Sequence, residues 1–575
     1  MLRSHHLGEL TEKLVGSELT ICGWVERVRE VGGISFVLLR DRYAKLQLSV
    51  ERDVASGLGR EYCVKARGFL RFRPEKDQTS VVNGRFELEV RELEILSASN
   101  LPPFVIDEKE PINEELRLKY RYLDLRRDFM KDNVLFSHYA TTCFRNVLND
   151  MDFVEVETPL MMKSTPEGSR DFLVPSRIYP GQFYALPQSP QLYKQMIMVG
   201  GMDRYYQFAR CFRDEDARKD RQIVHTQIDM EMSFVEENDI FQMVERLFAD
   251  LFANVLKKPM PVFARLSYDE CMRRFGLDKP DLRFGMELVD LAGFLADSPF
   301  QPFVDAVTNG RIPGFVLKGG SVLSRKQLDE LSEYVRSFGA KGTFFCKFVN
   351  GALSGGVTKH VPESVHQDLI TQTGLEDGDL LLFVAEKTTV ANDAIGNLRN
   401  RVAKLMNIIP EDELCFLWVT DFPLFEQDPE TNKWQAKHHM FTLPKKEHLQ
   451  YFETGELEKI YGHLYDLVLN GVELGSGSLR IHDPELQKRV FRIVGLTEEQ
   501  IQQRFGFFVE SLGYGAPPHG GIALGLGRLI MTLLGLGNIR DVIAFPNASS
   551  SRYLLDDSPT EVTEEQLQEL HLRCR

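Results

Sequence analysis

No run of about 18 apolar residues occurs anywhere in the sequence, so no transmembrane helix is expected. The first residues, Met1-Leu2-Arg3-Ser4-His5-His6, lack an apolar signal core, and folded-looking sequence begins by about Leu19. Neither a secretory signal nor a long transit peptide is expected. Cysteine is sparse. The eight (Cys22, Cys63, Cys143, Cys211, Cys271, Cys346, Cys415, Cys574) include no CxxC pair. That argues against a zinc ribbon or a disulfide framework and for reduced thiols in a cytoplasmic compartment. A surplus of positive charge is also missing: 69 Lys and Arg stand against 84 Asp and Glu, a net charge of −15. Long-range attraction to nucleic acid is excluded, and such a partner would need local basic patches. Residues 1–100 hold 16 Lys and Arg against 15 Asp and Glu, which makes them the part least hostile to a polyanion. What is present is ordinary: 575 residues, 43% hydrophobic and 27% charged, a globular chain of about three to five domains.

Residues 19–97 read as five short strands, at 19–29, 34–41, 45–51, 62–72 and 85–96. Period-2 alternation shows in Val64, Ala66, Gly68, Leu70 and again in Phe86, Leu88, Val90. The pattern predicts a closed barrel of the OB type, with another small β barrel or sandwich as the alternative. Residues 101–115, with Pro102, Pro103 and Pro111, read as a hinge or linker. Phe136, Tyr139, Ala140, Cys143, Phe144, Val147 and Leu148 recur at helical spacing, before a short strand at 153–158 stopped by Pro159. A second amphipathic helix is expected over 239–256. The texture of 288–414, with Gly319-Gly320 and Gly355-Gly356 between short apolar runs, predicts an inserted α+β domain. The stretch 417–546 is expected to return to strands with one terminal helix. The fold class is therefore α+β and multidomain, divided at 1–100, 101–115, 116–287, 288–414 and 415–575.

Three constellations carry chemistry. Two strands, 204–213 and 224–234, flank the charged loop Asp214-Glu215-Asp216-Ala217-Arg218-Lys219-Asp220-Arg221-Gln222. On the second strand Gln227, Asp229, Glu231 and Ser233 share one face, and Ile228, Met230 and Met232 the other. Acids in a row on one face make either a solvated edge or an active-site floor. Arg213 at the loop entrance could hold a phosphate bidentately. Next comes Asp466, followed by Glu473-Leu474-Gly475-Ser476-Gly477-Ser478-Leu479-Arg480. Two carboxylates near a glycine-rich break can ligate Mg²⁺ on a polyphosphate, while a β-hairpin turn accounts for the same glycines. Strict alternation would put Glu473 and Arg480 on opposite faces unless a bulge at the Gly-Ser stretch resets the parity. Last is Gly520-Gly521-Ile522-Ala523-Leu524-Gly525-Leu526-Gly527-Arg528, read as strand, glycine turn and helix. Such a turn lets backbone approach a nucleotide.

In order and content these resemble the three motifs of class II aminoacyl-tRNA synthetases, in their bacterial aspartate-specific branch. Phe153–Pro159 resembles motif 1, Cys211–Glu215 through Thr226–Glu231 motif 2, and Gly525–Arg528 motif 3. Leu118–Arg127, Thr165-Pro166-Glu167-Gly168, Gln188–Gln195 and Ile539–Pro546 add to the likeness, which covers essentially the whole chain. The resemblance implies an antiparallel catalytic sheet split by the insertion, an anticodon-binding OB domain at 1–100, and a homodimer around motif 1. It implies ATP-dependent activation of L-aspartate, with Mg²⁺, and transfer to tRNA(Asp), with tRNA(Asn) left open. Arg213, Arg528 and Glu473 would be catalytic. Arg213, Asp214, Glu215, Gln222, His225, Glu473, Gly525, Leu526, Gly527 and Arg528 would bind ATP. Glu167, Ser189, Gln191, Lys194, Arg213, Asp229, His438 and Arg480 would bind aspartate, with Lys194 and Arg480 on its side-chain carboxylate. Asp466 and Glu473 would hold the metal. Arg29, Phe36 and Gln47 would face the anticodon, unless Phe36 is a barrel core residue.

The chain departs from the family pattern at Gly527, where Asp is usual, at His225, where Phe is usual, and at Ile223-Val224, where Pro-Glu is usual. These departures motivate an alternative, a catalytically weakened paralogue that binds tRNA as a module. A tRNA-independent enzyme making asparagine is disfavoured by the OB-like domain. A lysine specificity is disfavoured by the cations Lys194 and Arg480. If His225 lies against adenine, its titration near pH 6.5 is expected to add a pH dependence to ATP binding.

Overall fold

The computed structural model describes residues 1–106, 111–165 and 169–573. It contains two compact units. One comprises Met1–Leu135, Ala544–Ala548 and Arg552–Pro559; the other comprises Phe136–Ile543, Ser549–Ser551 and Thr560–Arg575.

In the first unit a five-stranded barrel closes from β1 (Glu18–Val31), β2 (Ile34–Arg40), β3 (Lys45–Glu51), β4 (Cys63–Phe72) and β5 (Phe86–Ser97) in the order β1-β2-β3-β5-β4. All neighbours are antiparallel except β3 and β5. Alternation drives the closure. Ile21, Val25, Val37, Leu39, Leu48, Val64, Ala66, Leu70 and Leu88 all point inward and are fully buried.

The second unit is built on an eight-stranded sheet. Its members are β6 (Val154–Glu155), β7 (Arg204–Phe212), β8 (Val224–Ser233), β9 (Phe263–Ser267), β15 (Phe416–Thr420), β16 (Leu464–Leu469), β17 (Val472–Leu479) and β18 (His519–Gly525). The order is β9-β15-β16-β17-β18-β8-β7-β6. The six inner strands pair antiparallel, and the edge strands β9 and β6 pair parallel. Helix α1 (Asp128–Asp150) precedes β6, and α2 (Gln191–Val199) precedes β7. One face of the sheet is covered by α3 (Glu237–Leu251), whose Phe241 and Phe248 pack on Trp418, Tyr465 and Phe416.

Between β9 and β15 lie α4 (Tyr268–Phe275) and a separate antiparallel sheet of β10 (Val289–Asp290), β11 (Pro313–Leu317), β12 (Phe344–Val349), β13 (Ala352–Ser354) and β14 (Leu380–Phe383). Its order is β10-β11-β14-β12-β13, and α5 (Thr388–Leu405) packs on it through Ala391, Ile395 and Leu398.

Several local expectations need correction. The helix expected to reach residue 256 ends at Leu251 and continues as a single π turn, Phe252–Leu256. The strand expected over 153–158 keeps only the two residues that pair with Tyr205 and Tyr206. The stretch 417–546 holds, besides the single turn Tyr451–Thr454, three longer helices where one was expected: α6 (Pro484–Ile493), α7 (Glu498–Leu512) and α8 (Leu526–Leu533). Among the described residues no helix is long and apolar enough to cross a membrane.

Candidate active site and nucleic-acid face

Strand β8 sits in the middle of the sheet, between β7 and β18. That placement decides what its row of acids is. Asp229 and Glu231 are completely buried, so the solvated-edge reading is wrong and the row is a floor. Ile228, Met230 and Met232 fill the opposite face against the apolar core. Two buried cations meet the acids. Lys194, from α2, donates to Asp229 Oδ1 at 2.6 Å and lies 3.2 Å from Glu231 Oε2. Arg480 donates from Nε and Nη2 to the two Glu231 oxygens at 2.9 and 3.1 Å. Burial raises the Asp229 carboxyl above its usual range, against the pull of Lys194. Burial also opposes ionisation of Glu231, but Arg480 and Lys194 win and hold it below its usual value. The two cations are therefore not bare, as their sequence role implied; Glu231 and Asp229 already neutralise them.

The other edge of Arg480 is different. Its Nη1 meets only neutral groups, Ser478 Oγ at 2.8 Å and His439 Nε2 at 2.8 Å. Arg480 can only donate, so its Nη1 donates to His439 Nε2, and the Phe441 N–H approaches Nδ1 at 3.2 Å, so that each ring nitrogen faces a donor. Burial, then Arg480, keep this histidine neutral by pushing its pKa well down. Arg480 and His439 both line a cavity of about 420 Å³.

That cavity brings together Ser189, Gln191, Lys194, Arg213, Glu215, Gln222, His225, Asp229, His438, Glu473, Gly525, Gly527, Arg528 and Arg480. Unpartnered buried atoms occur at Gln191 Nε2, Arg213 Nε and Asp229 Oδ2. Arg528 is aimed by the Glu473 carbonyl, at 2.8 Å from Nη1, and lies 3.4 Å from Asp220. Glu215 accepts from Ser169 Oγ and from Arg221 at 3.2 Å; the Ser169 bond leads in lowering its pKa. Asp214 and Leu526 are not part of this wall. Asp214 lies 3.8 Å from Arg170, and Leu526 packs on the apolar core. Glu167 lies outside the described residues.

Glu473 and Arg480 do share the cavity, because β17 carries a bulge. Gly475 pairs with Leu467 and Glu473 with Val468, leaving Leu474 extra. The bulge falls just before the Gly-Ser stretch. The hairpin turn is Asn470-Gly471, both with positive φ, so the glycines at 475 and 477 serve another end. They sit inside the strand, where a Cβ would collide with the carbonyl oxygens of Ala523 and Gly521.

Asp466, on β16 opposite Ser476, is buried, and its Oδ1 has no hydrogen-bond partner. Burial and the nearby Glu473 charge raise its carboxyl far above the usual range. A buried orphan oxygen beside a second carboxylate is a donor set that suits a hard divalent cation. Glu473 itself is held low despite burial, chiefly by Lys279, whose Nζ is 3.6 Å from Oε2.

His225 lines the same cavity. Burial, then Arg213 and Arg528, push its pKa down to about 3, so it carries no charge at neutral pH. The expected titration near pH 6.5 is corrected accordingly. At Gly527 a Cβ would press on Ile539, at 3.1 Å, and Ile539 lines the cavity. The glycine goes with the bulky neighbour.

On the barrel, Ser35, Val37 and Leu39 point inward and Phe36 points outward, half exposed and outside the core. Arg29 pairs with Phe36 across β1 and β2 and is exposed. Gln47 donates to Glu87 Oε2 at 2.9 Å, and Arg71 donates to Glu87 Oε1 at 2.9 Å and to Ser49 Oγ at 3.2 Å. Glu87 and Arg71 gave no signal of their own; only the pairing of β3 with β5 brings them to Gln47. His439 and Lys279 carry no signal in the sequence for the same reason, since each acts through a partner distant in the chain.

Residues 113–549 match the model of tRNA synthetases class II (D, K and N), and residues 19–96 match that of the OB-fold nucleic acid binding domain. The chain belongs to the class II tRNA synthetases, in the D, K and N group. A curated relative from Caldanaerobacter subterraneus, an aspartate–tRNA(Asp/Asn) ligase, is 48% identical over 99% of this chain and 98% of its own. One of the same name from Thermodesulfovibrio yellowstonii is 46% identical over the full length of both. An aspartate–tRNA ligase from Macrococcus caseolyticus is 45% identical, over 99% of this chain and 98% of its own. Among solved structures, a putative aspartyl-tRNA synthetase from Leishmania major superposes with a TM-score of 0.60 at 20% identity. It covers 94% of this chain and 92% of its own, and the likeness concerns the fold. Use of ATP in this family implies a divalent metal.

Proposed function

We infer that this chain is an aspartate–tRNA ligase. It activates L-aspartate with ATP to aspartyl-adenylate and transfers the aspartyl group to the 3′ end of tRNA(Asp). The observation that carries the aspartate reading is the Nη1 edge of Arg480. Its other edge is locked on Glu231, whereas Nη1 meets only the uncharged Ser478 and His439 at the cavity wall. A side-chain carboxylate accepts from that edge with its full charge, whereas an amide of the same shape brings an uncharged oxygen and adds donors. Lys194 supports the same end of the substrate. Asp229 Oδ2 and Gln191, each with an unpartnered buried atom, suit its ammonium end.

Activation is in-line attack of the α-carboxylate on the α-phosphorus, so two anions must meet. Positioning and positive charge then do more than proton transfer. Arg213 is proposed on the α-phosphate, and Arg528 and His225 on adenine. Glu215 and Gln222 are also proposed on ATP. Mg²⁺ is the proposed metal, held by Asp466 and Glu473, whose hard oxygen donors suit it; when bound it would neutralise phosphate charge. On the barrel, Arg29, Phe36 and Gln47 are proposed to read the anticodon. Exposed Leu160, Met161, Leu173, Ile178, Phe183 and Tyr184 follow motif 1 in the chain and favour a homodimer built there. The described cysteines are thiols, in keeping with a cytoplasmic setting.

Aspartate-dependent ATP–pyrophosphate exchange tests the first step. Arg480→Leu and Lys194→Leu are each expected to abolish most of it; wild-type kcat/KM for aspartate in Arg480→Leu would refute the assignment. Charging of purified tRNA(Asp) and tRNA(Asn) tests the second step and its breadth. The names of two relatives favour both acceptors.

A further inference from the structure

The inserted domain has had no part in the reaction so far, yet a short segment just before it, residues 276–283, joins it to the site. Gly276 ends α4 in the left-handed conformation, φ 73°, and lies so close to α5 that a Cβ would come 2.6 Å from the Asn392 carbonyl oxygen. At the other end Asp281 lies against the β16–β17 turn, where a Cβ on Gly471 would be 3.1 Å from Asp281 Cβ. Buried Arg399 of α5 donates to the Asp281 carbonyl at 2.7 Å, and Arg283 clasps the Asp281 carboxylate at 2.8 and 3.0 Å. Helix α5 therefore holds both ends of the segment, and the second end also rests on the catalytic hairpin. Between these pins stands Lys279. Its Nζ is 3.6 Å from Glu473 Oε2, two residues past the pinned turn. Among the described residues it is the cation in ion-pair range of that carboxylate.

We propose that Lys279 is a positioning residue of the metal site: its ammonium holds the Glu473 carboxylate, and a divalent cation must displace it to bind. The inserted domain, by pinning residues 276–283, thereby sets how readily the metal enters. This rests on the reading of Asp466 and Glu473 as metal ligands. Two cations cannot share one carboxylate without repelling each other, so removing the lysine favours the metal twice, by freeing the ligand and by removing like charge.

The test titrates Mn²⁺ alone into the full chain and reads free Mn²⁺ by its electron paramagnetic resonance signal. Glu473→Gln is expected to weaken binding, which identifies the site. Lys279→Gln is expected to tighten it roughly 2–5-fold, the range of a partly exposed ion pair. Lys279→Arg is expected to restore wild-type binding, and Lys279→Gln to have no effect in a Glu473→Gln background. Unchanged or weaker Mn²⁺ binding in Lys279→Gln, with the Glu473→Gln effect intact, overturns the role of Lys279 alone. Mn²⁺ binding indifferent to Glu473→Gln overturns the metal reading and this inference with it. A merely structural lysine shifts the thermal midpoint of the metal-free protein without moving the Mn²⁺ isotherm.

Discussion

Glu231 meets both buried cations, Lys194 and Arg480, at once. Arg480 is fixed by its two oxygens, and Lys194 is shared between Glu231 and Asp229. Replacing it with Gln leaves a buried guanidinium half paired, a change that costs ~3–5 kcal/mol in comparable sites. Glu231→Gln is expected to raise the aspartate KM and to lower thermal stability. The pH dependence has a definite sign. The folded-state pKa, about 2, lies below the ordinary glutamate value of about 4.3. The stabilisation from ionised Glu231 is complete above that value and drains away as pH falls through the folded pKa. The gap in thermal midpoint between wild type and Glu231→Gln should therefore be widest near neutrality and narrow in acid. A gap that stays constant or widens in acid contradicts the ion-pair account. His225 gives the opposite kind of expectation. With its pKa at about 3, ATP KM profiles of wild type and His225→Phe should run parallel over roughly pH 5 to 8. A break near 6.5 in the wild type alone would show that the ring is solvated rather than shielded.

At the scale of elements, the central strands approach one another through missing side chains. Gly521 on β18 lies where a Cβ would meet both the Met230 carbonyl oxygen and the Glu231 carboxylate. Gly521→Ala is expected to cost ~1–3 kcal/mol of stability, by displacing backbone that has no slack. It should depress aspartate activation more than ATP binding, because the displaced group is Glu231. Equal losses of the two would mean a general disruption of the sheet. The same geometry explains what the sequence could and could not reveal. The alternation on β8 was legible from its letters, since period 2 is a property of one strand. Whether that strand lay at an edge or in the centre was not, because its neighbours β7 and β18 are fixed by pairings up to hundreds of residues away. The Gly-Ser-Gly run looked like a turn for the same reason: its glycines answer to β18, while the turn itself is Asn470-Gly471.

At the scale of the whole molecule, the barrel and the sheet belong to separate units, and the two steps of the reaction should be separable by mutation. Phe36→Ala and Gln47→Ala are expected to weaken aminoacylation while aspartate-dependent exchange stays near wild type. Loss of a stacking ring should remove ~1–3 kcal/mol of tRNA binding. Phe36 points out of the barrel, so its removal should leave the thermal midpoint nearly unchanged. Glu87→Gln should mimic Gln47→Ala in part, because Glu87 holds the Gln47 amide. Unchanged charging of tRNA(Asp) by all three variants would exclude this face from anticodon reading. The barrel was legible in outline because five alternating strands in a short span admit few closures. The helices α6 and α7 were not. Their apolar residues, such as Phe491, Phe505 and Phe508, gain their meaning from α2 and Phe441.

The bulge at Leu474 turns β17 into something like a reading frame. Glu473 before it and Ser476, Ser478 and Arg480 after it all serve the cavity side only because one residue goes uncounted. Exchange of single side chains along this strand leaves the frame intact. Removal of one residue between Leu474 and Leu479 does not: it would send Arg480 to the face that Trp418, Tyr465 and Phe241 fill with rings. Removal of two would restore the phase and shorten the strand instead. A deletion series through this segment should therefore alternate, with odd losses abolishing aspartate activation and even ones sparing part of it. Lineages descended from such a chain should vary here by substitution and hardly ever in length.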